Sequence, residues 1–339
     1  MRAIRPTWPS RGRPRRATAV IASAWRKTCR RFSWSSDVVT DTEAGLLLAF
    51  PEDEAIARHA AEASGLGCAL IARHRFPDGE IKLTLPARLP GTVVIWRGLE
   101  FPNERLTELL LAAGAARELG ARRLTLVAPY LAYMRQDIAF HPGEAVSQRI
   151  VGRFLAGLFD ALVTVDPHLH RVATLQEAVP LPTAVALSGA PILAAHIAAR
   201  REQVLLLGPD EEALQWVAQA ALGHGWAHGT CRKERRGDRD VTVQLPPDLA
   251  VAGRSVVLMD DVASSGHTLV QATRALLASG AASVDVAVTH ALFAGDAVER
   301  IRAAGVREIW STDCIPHATN AVSVVPVIAD ALRQHGLAG

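Results

Sequence analysis

The sequence contains few cysteines and no long apolar run. Its 339 residues include four cysteines, at positions 29, 68, 231 and 314, and no Cys-x-x-Cys pair. This spacing argues against a disulfide framework and against a cysteine-based zinc site, and it is typical of a protein in a reducing cytoplasm. No apolar run approaches the length that crosses a bilayer, so we expect no membrane segment. With 49% hydrophobic and 21% charged residues, the chain has a globular composition and enough length for about two domains.

Acidic residues are absent from the first 36 positions, which contain ten Lys or Arg. The rest of the chain, residues 37–339, has 27 basic and 34 acidic residues and therefore a net charge of −7. We expect no nucleic-acid partner for this part of the chain. The basic head also lacks the apolar core of a secretory signal. Residues 1–44 are predicted to be a disordered or spurious extension. An organelle-targeting peptide, a nucleic-acid arm and a start codon assigned too far upstream are the alternatives.

From Gly45 onward, short apolar runs alternate with longer helical patterns. The predicted strands are rich in Val, Leu and Ile, and are Ala69–Arg73, Val93–Arg97, Leu124–Ala128, Leu162–Asp166, Val204–Gly208, Ser255–Asp260, Val284–Thr289 and Glu308–Thr312. The predicted helices are Glu52–Ser64, Asn103–Leu119, Glu144–Phe159, Pro191–Arg201, Glu211–Leu222 and Thr268–Ala278. This alternation predicts an α/β fold with parallel sheets covered by helices on both faces.

The alternating pattern of strands and helices occurs twice along the chain. Pro180 and Pro182 predict a stiff, extended connection between the two occurrences, and Ser188 precedes a new helix. We therefore predict an N-terminal domain over residues 45–186 and a C-terminal domain over residues 187–339. Ligands of open parallel sheets bind at the carboxyl ends of the strands, so polar residues that follow strands are candidates for a site.

The most specific segment is Ser255-Val-Val-Leu-Met-Asp-Asp-Val-Ala-Ser-Ser-Gly-His-Thr268. An apolar strand ends in Asp260 and Asp261, and buried carboxylates are costly unless they meet cations or hydroxyls. The small-residue turn that follows offers hydroxyls and backbone N–H groups at a helix N-terminus, which suits a phosphate monoester. The pattern predicts a sugar-phosphate site, with an ordinary Asp/Ser helix cap as the alternative.

This segment resembles the signature of the phosphoribosyltransferase superfamily. Other segments resemble, in order, elements of the ribose-phosphate diphosphokinase family, and the resemblance covers residues 46–335. They are Phe76-Pro-Asp-Gly-Glu80, Pro129-Tyr-Leu-Ala-Tyr-Met-Arg-Gln-Asp137, Val165-Asp-Pro-His168, Gly208-Pro-Asp210, Lys233-Glu-Arg235 and Thr312-Asp-Cys-Ile-Pro316. The resemblance implies two tandem phosphoribosyltransferase-type domains that transfer a diphosphoryl group from ATP to ribose 5-phosphate. It also implies Mg²⁺ and a homo-oligomer, either a dimer or a hexamer, with nucleotide sites near subunit contacts.

The resemblance also implies residue roles. Arg135 is a permanent cation that can grip a triphosphate, and Lys233 and Arg235 are the predicted catalytic cations of a mobile lid. The predicted ATP-binding residues are Asp78, Glu80, Arg135, Gln136, Asp137 and His168. The predicted ribose-5-phosphate-binding residues are Asp210, Asp260, Asp261, Ser264, Ser265, Gly266, His267 and Thr268. His168 and Asp210 are the predicted metal ligands, and no general base is visible.

The sequence departs from the family pattern in three places. His267 stands where the family commonly has glycine, which requires a negative φ there. Glu211 and Glu212 bring negative charge near a diphosphate site unless they point away. Ile138 and Ala139 replace a basic pair associated with regulation by anions. Two alternatives to an active diphosphokinase therefore remain: a weakly active or non-catalytic regulatory homologue, and a phosphoribosyltransferase that consumes phosphoribosyl diphosphate.

Overall fold

The computed structural model describes residues 45–236, 240–246 and 249–339, with side chains left out at 233–243. The predicted extension over residues 1–44 lies entirely outside the described part. No helix in the described part is long and apolar enough to cross a membrane. Two six-stranded sheets dominate the structure, and all their strand pairs are parallel. The prediction of an α/β fold is confirmed.

The first sheet has the strand order β2-β1-β5-β6-β7-β8. Its strands are β1 (Leu46–Ala49), β2 (Gly67–Leu70), β5 (Thr92–Trp96), β6 (Arg123–Ala128), β7 (Ala161–Val165) and β8 (Thr183–Leu187). The helices of this half are α1 (Glu54–Ser64), α2 (Pro102–Glu118), α3 (Ser147–Leu158) and the single turn α4 (Leu175–Ala178).

The second sheet has the order β10-β9-β13-β14-β15-β16. Its strands are β9 (Leu205–Gly208), β10 (Ala227–Thr230), β13 (Ser255–Ala263), β14 (Ser283–Ala291), β15 (Val306–Thr312) and β16 (Asn320–Val322). The helices here are α5 (Ala190–Ala198), α6 (Leu214–Leu222), α7 (His267–Ala278), α8 (Ala297–Ala303) and α9 (Val325–Gln334).

Each half also contains an antiparallel hairpin between its second and third sheet strands along the chain. In the first half it is β3 (Ala72–Arg75) with β4 (Ile81–Thr84), and in the second it is β11 (Arg232–Arg236) with β12 (Asp240–Gln244). The mobile lid predicted around Lys233 and Arg235 coincides with this second hairpin. Its first strand pairs with Val241 and Val243, whose β-branched side chains favour extended backbone.

The central strands are buried on both faces, which explains why they are almost continuously apolar. All five residues of β7, for example, are buried. One face of the first sheet packs on α2 and α3, and the other packs on α1 and α9. Burial on both sides is the usual condition of a parallel sheet.

The two sheets have the same order of strands, and the last helix of the second half, α9, packs on the sheet of the first half. α9 packs on α1 and on the first sheet, through Val325 and Ile328. α5 follows β8 but packs with Leu206 and Val257 of the second sheet. The division at residues 186 and 187 remains a prediction.

Direct hydrogen bonds join the two sheets next to their carboxyl ends. Thr289 Oγ1 donates to Asp166 Oδ2 over 2.6 Å, and the Gly189 N–H donates to the same oxygen over 2.9 Å. His290 Nε2 lies 3.0 Å from the Val165 carbonyl oxygen. These contacts hold the loop after β7 against β14, and they thereby position His168 beside the second sheet.

Close packing at Gly152 gives a prediction for stability. A Cβ at Gly152 would overlap the backbone of Ala178, whereas a Cβ at Gly157 in the same helix would meet nothing within 4 Å. Gly152→Ala is therefore expected to lower the free energy of unfolding by about 1–3 kcal/mol. Gly157→Ala is the matched control and should be neutral or stabilising by up to about 1 kcal/mol. Denaturant unfolding measures both, and equal effects of the two would contradict the packing argument.

Candidate active site

A cavity of about 320 Å³ lies at the carboxyl ends of β9 and β13. It brings together ten of the predicted site residues from both halves of the chain. Its predicted members are Arg135, His168, Asp210, Asp260, Asp261, Ser264, Ser265, Gly266, His267 and Thr268, and its other lining residues are Glu212, Val262, Ala263 and Leu269.

The two adjacent acids at this end of β13 have opposite electrostatic environments. Burial raises the pKa of Asp260, and the negative charges of Asp261 and Asp210 raise it further. Burial would also raise the pKa of Asp261, but the hydrogen bond and charge of His168 outweigh it and lower that pKa. The pKa of His168 is raised, chiefly by its 2.7 Å hydrogen bond to Asp261. An ion pair thus forms between the halves, while Asp260 lacks such a cation.

The uncompensated charge of Asp260 predicts a gain in stability on its removal. Its raised pKa means that the folded chain loses stability as the pH rises above 3.8, the ordinary value. Asp260→Asn should therefore raise the unfolding temperature of the ligand-free protein at about pH 8, and the gain should shrink towards about pH 4. Thermal unfolding in EDTA measures this, with the exposed Asp296→Asn as control. A variant less stable than wild type at about pH 8 would contradict it.

The loop after β13 leads into the N-terminus of the twelve-residue helix α7. Gly266 precedes the helix with a φ of +70°, and a Cβ there would lie 2.8 Å from Ile301. His267 is the first residue of α7 and is not among the described non-glycine residues with positive φ. The helix therefore accommodates His267 in the backbone conformation that its side chain requires. Unpaired N–H groups at this end favour a bound phosphate.

Three donors near the cavity are of the types that bind a divalent cation. His168 lies after β7, and Asp210 and Glu212 lie in the turn after β9, where Asp210 Oδ1 accepts the Glu212 N–H over 3.1 Å. Glu212 lines the cavity, so it brings negative charge to the predicted diphosphate site. Glu211 does not line the cavity and lies 3.3 Å from Arg232. Among the described residues, no group of three or more His, Cys, Asp or Glu side chains is arranged so that it could hold a metal ion by itself. Carboxylates here fit Mg²⁺, which keeps several waters and takes further ligands from phosphates.

Four predicted ATP-binding residues do not line the cavity. Gln136 accepts a 2.8 Å hydrogen bond from Ser147 at the start of α3. Asp137 is 6% exposed and pairs with Arg171 over 2.6 Å, so it can act on a ligand only through Arg171. Asp78 and Glu80 lie on the exposed turn between β3 and β4.

The lid residues have a described backbone only. Lys233 and Arg235 lie on β11, paired with Val243 and Val241 respectively. Their side chains lie outside the described part, so the lid assignment remains a prediction.

The sequence analysis did not assign Glu212, His170 or Arg171 to the site. Glu212 Oε1 lies 3.7 Å from His170 Nε2, and Glu212 Oε2 lies 3.8 Å from His168 Nε2. The sequence signal was the presence of two histidines, His168 and His170, shortly after the predicted strand Leu162–Asp166.

Comparisons with known proteins agree with this geometry. Residues 46–158 match the family described as the N-terminal domain of ribose phosphate pyrophosphokinase, and residues 186–326 match the phosphoribosyl transferase domain. The ribose-phosphate pyrophosphokinase of Methanopyrus kandleri is 38% identical over 293 residues, covering 85% of this chain and 99% of that protein. The enzyme of that name from Halobacterium salinarum is 35% identical over 288 residues, covering 85% and 100%.

The chain belongs to the ribose-phosphate pyrophosphokinase family. This is the family identified above as the diphosphokinases, so the sequence-based resemblance is confirmed. A crystal structure of phosphoribosylpyrophosphate synthetase from Mycobacterium smegmatis has the same fold, with a TM-score of 0.74 and 24% identity. That match covers 87% of this chain and all of the other.

The repeated architecture places different residues at equivalent ends of the two sheets of this pyrophosphokinase family member. Leu48 pairs with Ile95 in the first sheet, as Leu207 pairs with Leu258 in the second. Arg97 lies two residues after Ile95, and Asp260 lies two residues after Leu258, so the two occupy equivalent places in the two sheets. Arg97 is 2% exposed and closes its sheet edge by pairing with Asp53 and Glu108.

Proposed function

We propose that the protein is an active ribose-phosphate pyrophosphokinase that uses ATP and ribose 5-phosphate. The sugar's 1-hydroxyl oxygen attacks the β-phosphorus of ATP, the bond from that phosphorus to the α–β bridging oxygen breaks, and AMP leaves. The products are phosphoribosyl diphosphate and AMP, formed in the cytoplasm that the cysteine pattern predicts. The observation that carries this proposal is the single cavity that combines a phosphosugar loop with Arg135 and His168 from the other half.

The sugar phosphate binds between the paired acids and the loop after β13. Asp260 and Asp261 accept hydrogen bonds from the ribose 2- and 3-hydroxyls, which adds to the one donor, the Asp261 N–H, that the structure gives Asp260. Ser264, Ser265 and Thr268 donate to the 5-phosphate together with the N-terminal N–H groups of α7. His267 adds a donor that is absent where glycine occupies this position.

Charged groups from both halves hold the triphosphate in line with the sugar. Arg135 grips phosphate oxygens, and Lys233 and Arg235 neutralise charge that develops during transfer. When bound, Mg²⁺ supplies charge neutralisation on the phosphates, with His168 and Asp210 holding it. Asp78 and Glu80 are exposed on their hairpin, so in the proposed homo-oligomer they reach the nucleotide of a neighbouring copy.

Formation of AMP tests the proposal against its two alternatives. ATP, Mg²⁺ and ribose 5-phosphate are incubated with the protein, and the nucleotides are separated by chromatography. We expect AMP that depends on the sugar phosphate. ADP would show γ-phosphoryl transfer and refute the mechanism, and ATP binding without turnover would favour the regulatory homologue. Consumption of phosphoribosyl diphosphate with a nucleobase, without AMP formation from ATP, would favour the phosphoribosyltransferase.

A further inference from the structure

A second cavity, of about 680 Å³, lies between the two halves of the chain. Its walls are the turn after β1, the start of α2 and the loops after β14 and β15. Ser264, in the loop after β13, lines both this cavity and the active-site cavity, so the two cavities are neighbours. A space of this volume accommodates a small organic molecule.

In the repeated architecture, the second cavity is the counterpart of the active-site cavity. The sheet orders make β1 and β5 equivalent to β9 and β13, and they make β14 and β15 equivalent to β6 and β7. The active-site cavity lies at β9 and β13 and receives Arg135 and His168 from the segments after β6 and β7. The second cavity lies at β1 and β5 and receives Phe293 and His317 from the segments after β14 and β15. Because ligands of parallel sheets bind at the carboxyl ends of the strands, this is a binding position too.

Carboxylates that are already paired provide the charge on the wall from the first half. Glu100, whose side chain is 8% exposed, lies next to the N-terminus of α2 and pairs with Arg105. Arg105 Nη1 also donates to the Gly98 carbonyl oxygen over 2.6 Å. Asp53 pairs with Arg97 over 2.8 Å. Since both guanidinium groups are engaged in this way, a phosphate in the cavity would meet carboxylate charge that they do not offset.

Aromatic rings from both halves provide flat apolar surface. Phe101 is 70% exposed, and the Arg105 guanidinium lies 5.6 Å from the centroid of its ring. In the wall from the second half, the rings of Phe293 and His317 are 5.0 Å apart. Burial lowers the pKa of His317, and its Nδ1 accepts the Thr319 N–H over 3.2 Å. The imidazole is therefore neutral, and its Nε2–H is a donor.

Phe293 is held in a backbone conformation that side chains rarely adopt. Its φ is +28°, in the left-handed region. The Phe293 N–H donates to the Ala263 carbonyl oxygen over 2.9 Å, and the Ala294 N–H donates to that of Ser264 over 3.0 Å. These bonds fix the aromatic wall against the loop after β13. Strain that the surrounding structure maintains in this way is typical of sites that hold a ligand.

We propose that the second cavity binds an uncharged, planar heteroaromatic molecule with amino groups, a nucleobase or its nucleoside, and that it discriminates against the phosphorylated form. The ring of the ligand packs on Phe101 and Phe293. Its amino groups donate to carboxylate oxygens, of which those of Glu52 are the most accessible, since that side chain is 41% exposed. The inference goes beyond the proposed function, because binding here requires neither ATP nor ribose 5-phosphate.

Calorimetric titration of the metal-free, full-length protein with adenosine tests the inference. We expect one molecule to bind per chain, with a Kd of about 0.1 mM or tighter, as is usual for a ligand of about 20 non-hydrogen atoms. Phe101→Ala should weaken binding about 10-fold or more, which is the usual effect of removing a stacking face. Phe140→Ala is the matched control and should leave the Kd unchanged, because Phe140 is 65% exposed and lines neither cavity.

The active-site variant Arg135→Ala shows which cavity the nucleoside occupies. Adenosine should bind this variant as tightly as wild type, and AMP should bind it at least about 10-fold more weakly than adenosine, because its phosphate meets the carboxylates. Unfolding temperatures of the ligand-free variants show whether each is folded.

Four results would overturn the inference. They are no binding of adenosine, unchanged binding in Phe101→Ala, loss of binding in Arg135→Ala, and AMP binding to Arg135→Ala that is as tight as adenosine binding. The titrations contain no ATP and require no turnover, so their failure would leave the proposed function standing. Failure to form AMP would refute the proposed function and leave the second cavity to be decided by the titrations.

Discussion

Replacement of Lys233 by alanine is expected to lower turnover about 10²- to 10³-fold, the usual cost of losing one group that stabilises charge in a transition state. A lid cation interacts with the diphosphoryl group mainly during transfer, so kcat should fall much more than KM rises. Lys233 lies on the small β11–β12 hairpin, outside both six-stranded sheets. The unfolding temperature should therefore stay at the wild-type value. Initial rates of AMP formation over a range of ATP concentrations measure kcat and KM.

Arg232 provides a matched control for Lys233. It precedes Lys233 on the same strand, its side chain is 74% exposed, and it lies 3.3 Å from Glu211. Arg232 is not among the residues that line the cavity. Arg232→Ala should keep a turnover within a few-fold of wild type. Wild-type-like turnover in Lys233→Ala would eliminate the lid assignment.

The sheet strands with strong apolar runs could be predicted from the sequence, whereas β1, β8, β10 and β16 are missing from the predicted strands. Val93–Arg97 and Leu162–Asp166 were predicted because burial on both faces selects continuous Val and Leu. Leu46–Ala49 was missed because four apolar residues next to a helix give no periodicity of their own. Thr183–Leu187 was taken as an extended connection, since Pro180 and Pro182 precede it. Its partner β7 lies about twenty residues away along the chain, and only that pairing makes it a strand.

The packing of α9 on the first sheet could not be predicted either. The sequence of α9 shows an amphipathic helix, but nothing local indicates which sheet its apolar face meets. In the structure Ile328 packs with Leu47, about 280 positions earlier. Such a choice depends on the shape of two completed layers, which is a tertiary property.

The site divides in the same way between local and distant contributions. Asp260 to Thr268 form one contiguous strand, turn and helix, so their convergence on one cavity follows from the local pattern. Asp137 was grouped with Arg135 because they are neighbours in sequence. The structure turns Arg135 into the cavity and Asp137 towards Arg171, a partner 34 positions away that no spacing rule identifies. The predicted roles of Gln136 and Asp137 remain predictions, with Asp137 acting through Arg171.

The largest effect on stability is expected from Arg97→Met, which should lower the free energy of unfolding by about 3–5 kcal/mol, since it leaves the buried Asp53 without its ion-pair partner and Glu108 with Arg73 alone. Arg97 lies 2.8 Å from Asp53 Oδ2 and 2.9 Å from Glu108 Oε2, and all three side chains are almost completely buried. Burial raises the pKa of Asp53 even with Arg97 present. Methionine keeps most of the side-chain volume, so little of the loss in the free energy of unfolding should come from a cavity. Most of it should come from the lost charge and hydrogen bonds.

The pH dependence of the Arg97→Met effect separates an electrostatic cause from a packing cause. Without the guanidinium, protonation neutralises the buried Asp53, whose pKa is already raised, so the loss of stability should be greatest near neutral pH and should shrink as the pH falls. Denaturant unfolding at several pH values measures it, and Arg58→Met, at an exposed pair with Glu54, should show little change. A loss independent of pH would refute the electrostatic account. Removal of the charge of Asp260, at the equivalent place in the other sheet, should have the opposite effect and raise the free energy of unfolding. The Asp260 charge costs stability and leaves that sheet end open for a ligand. Arg97 adds stability because its ion pairs close the equivalent end of the first sheet.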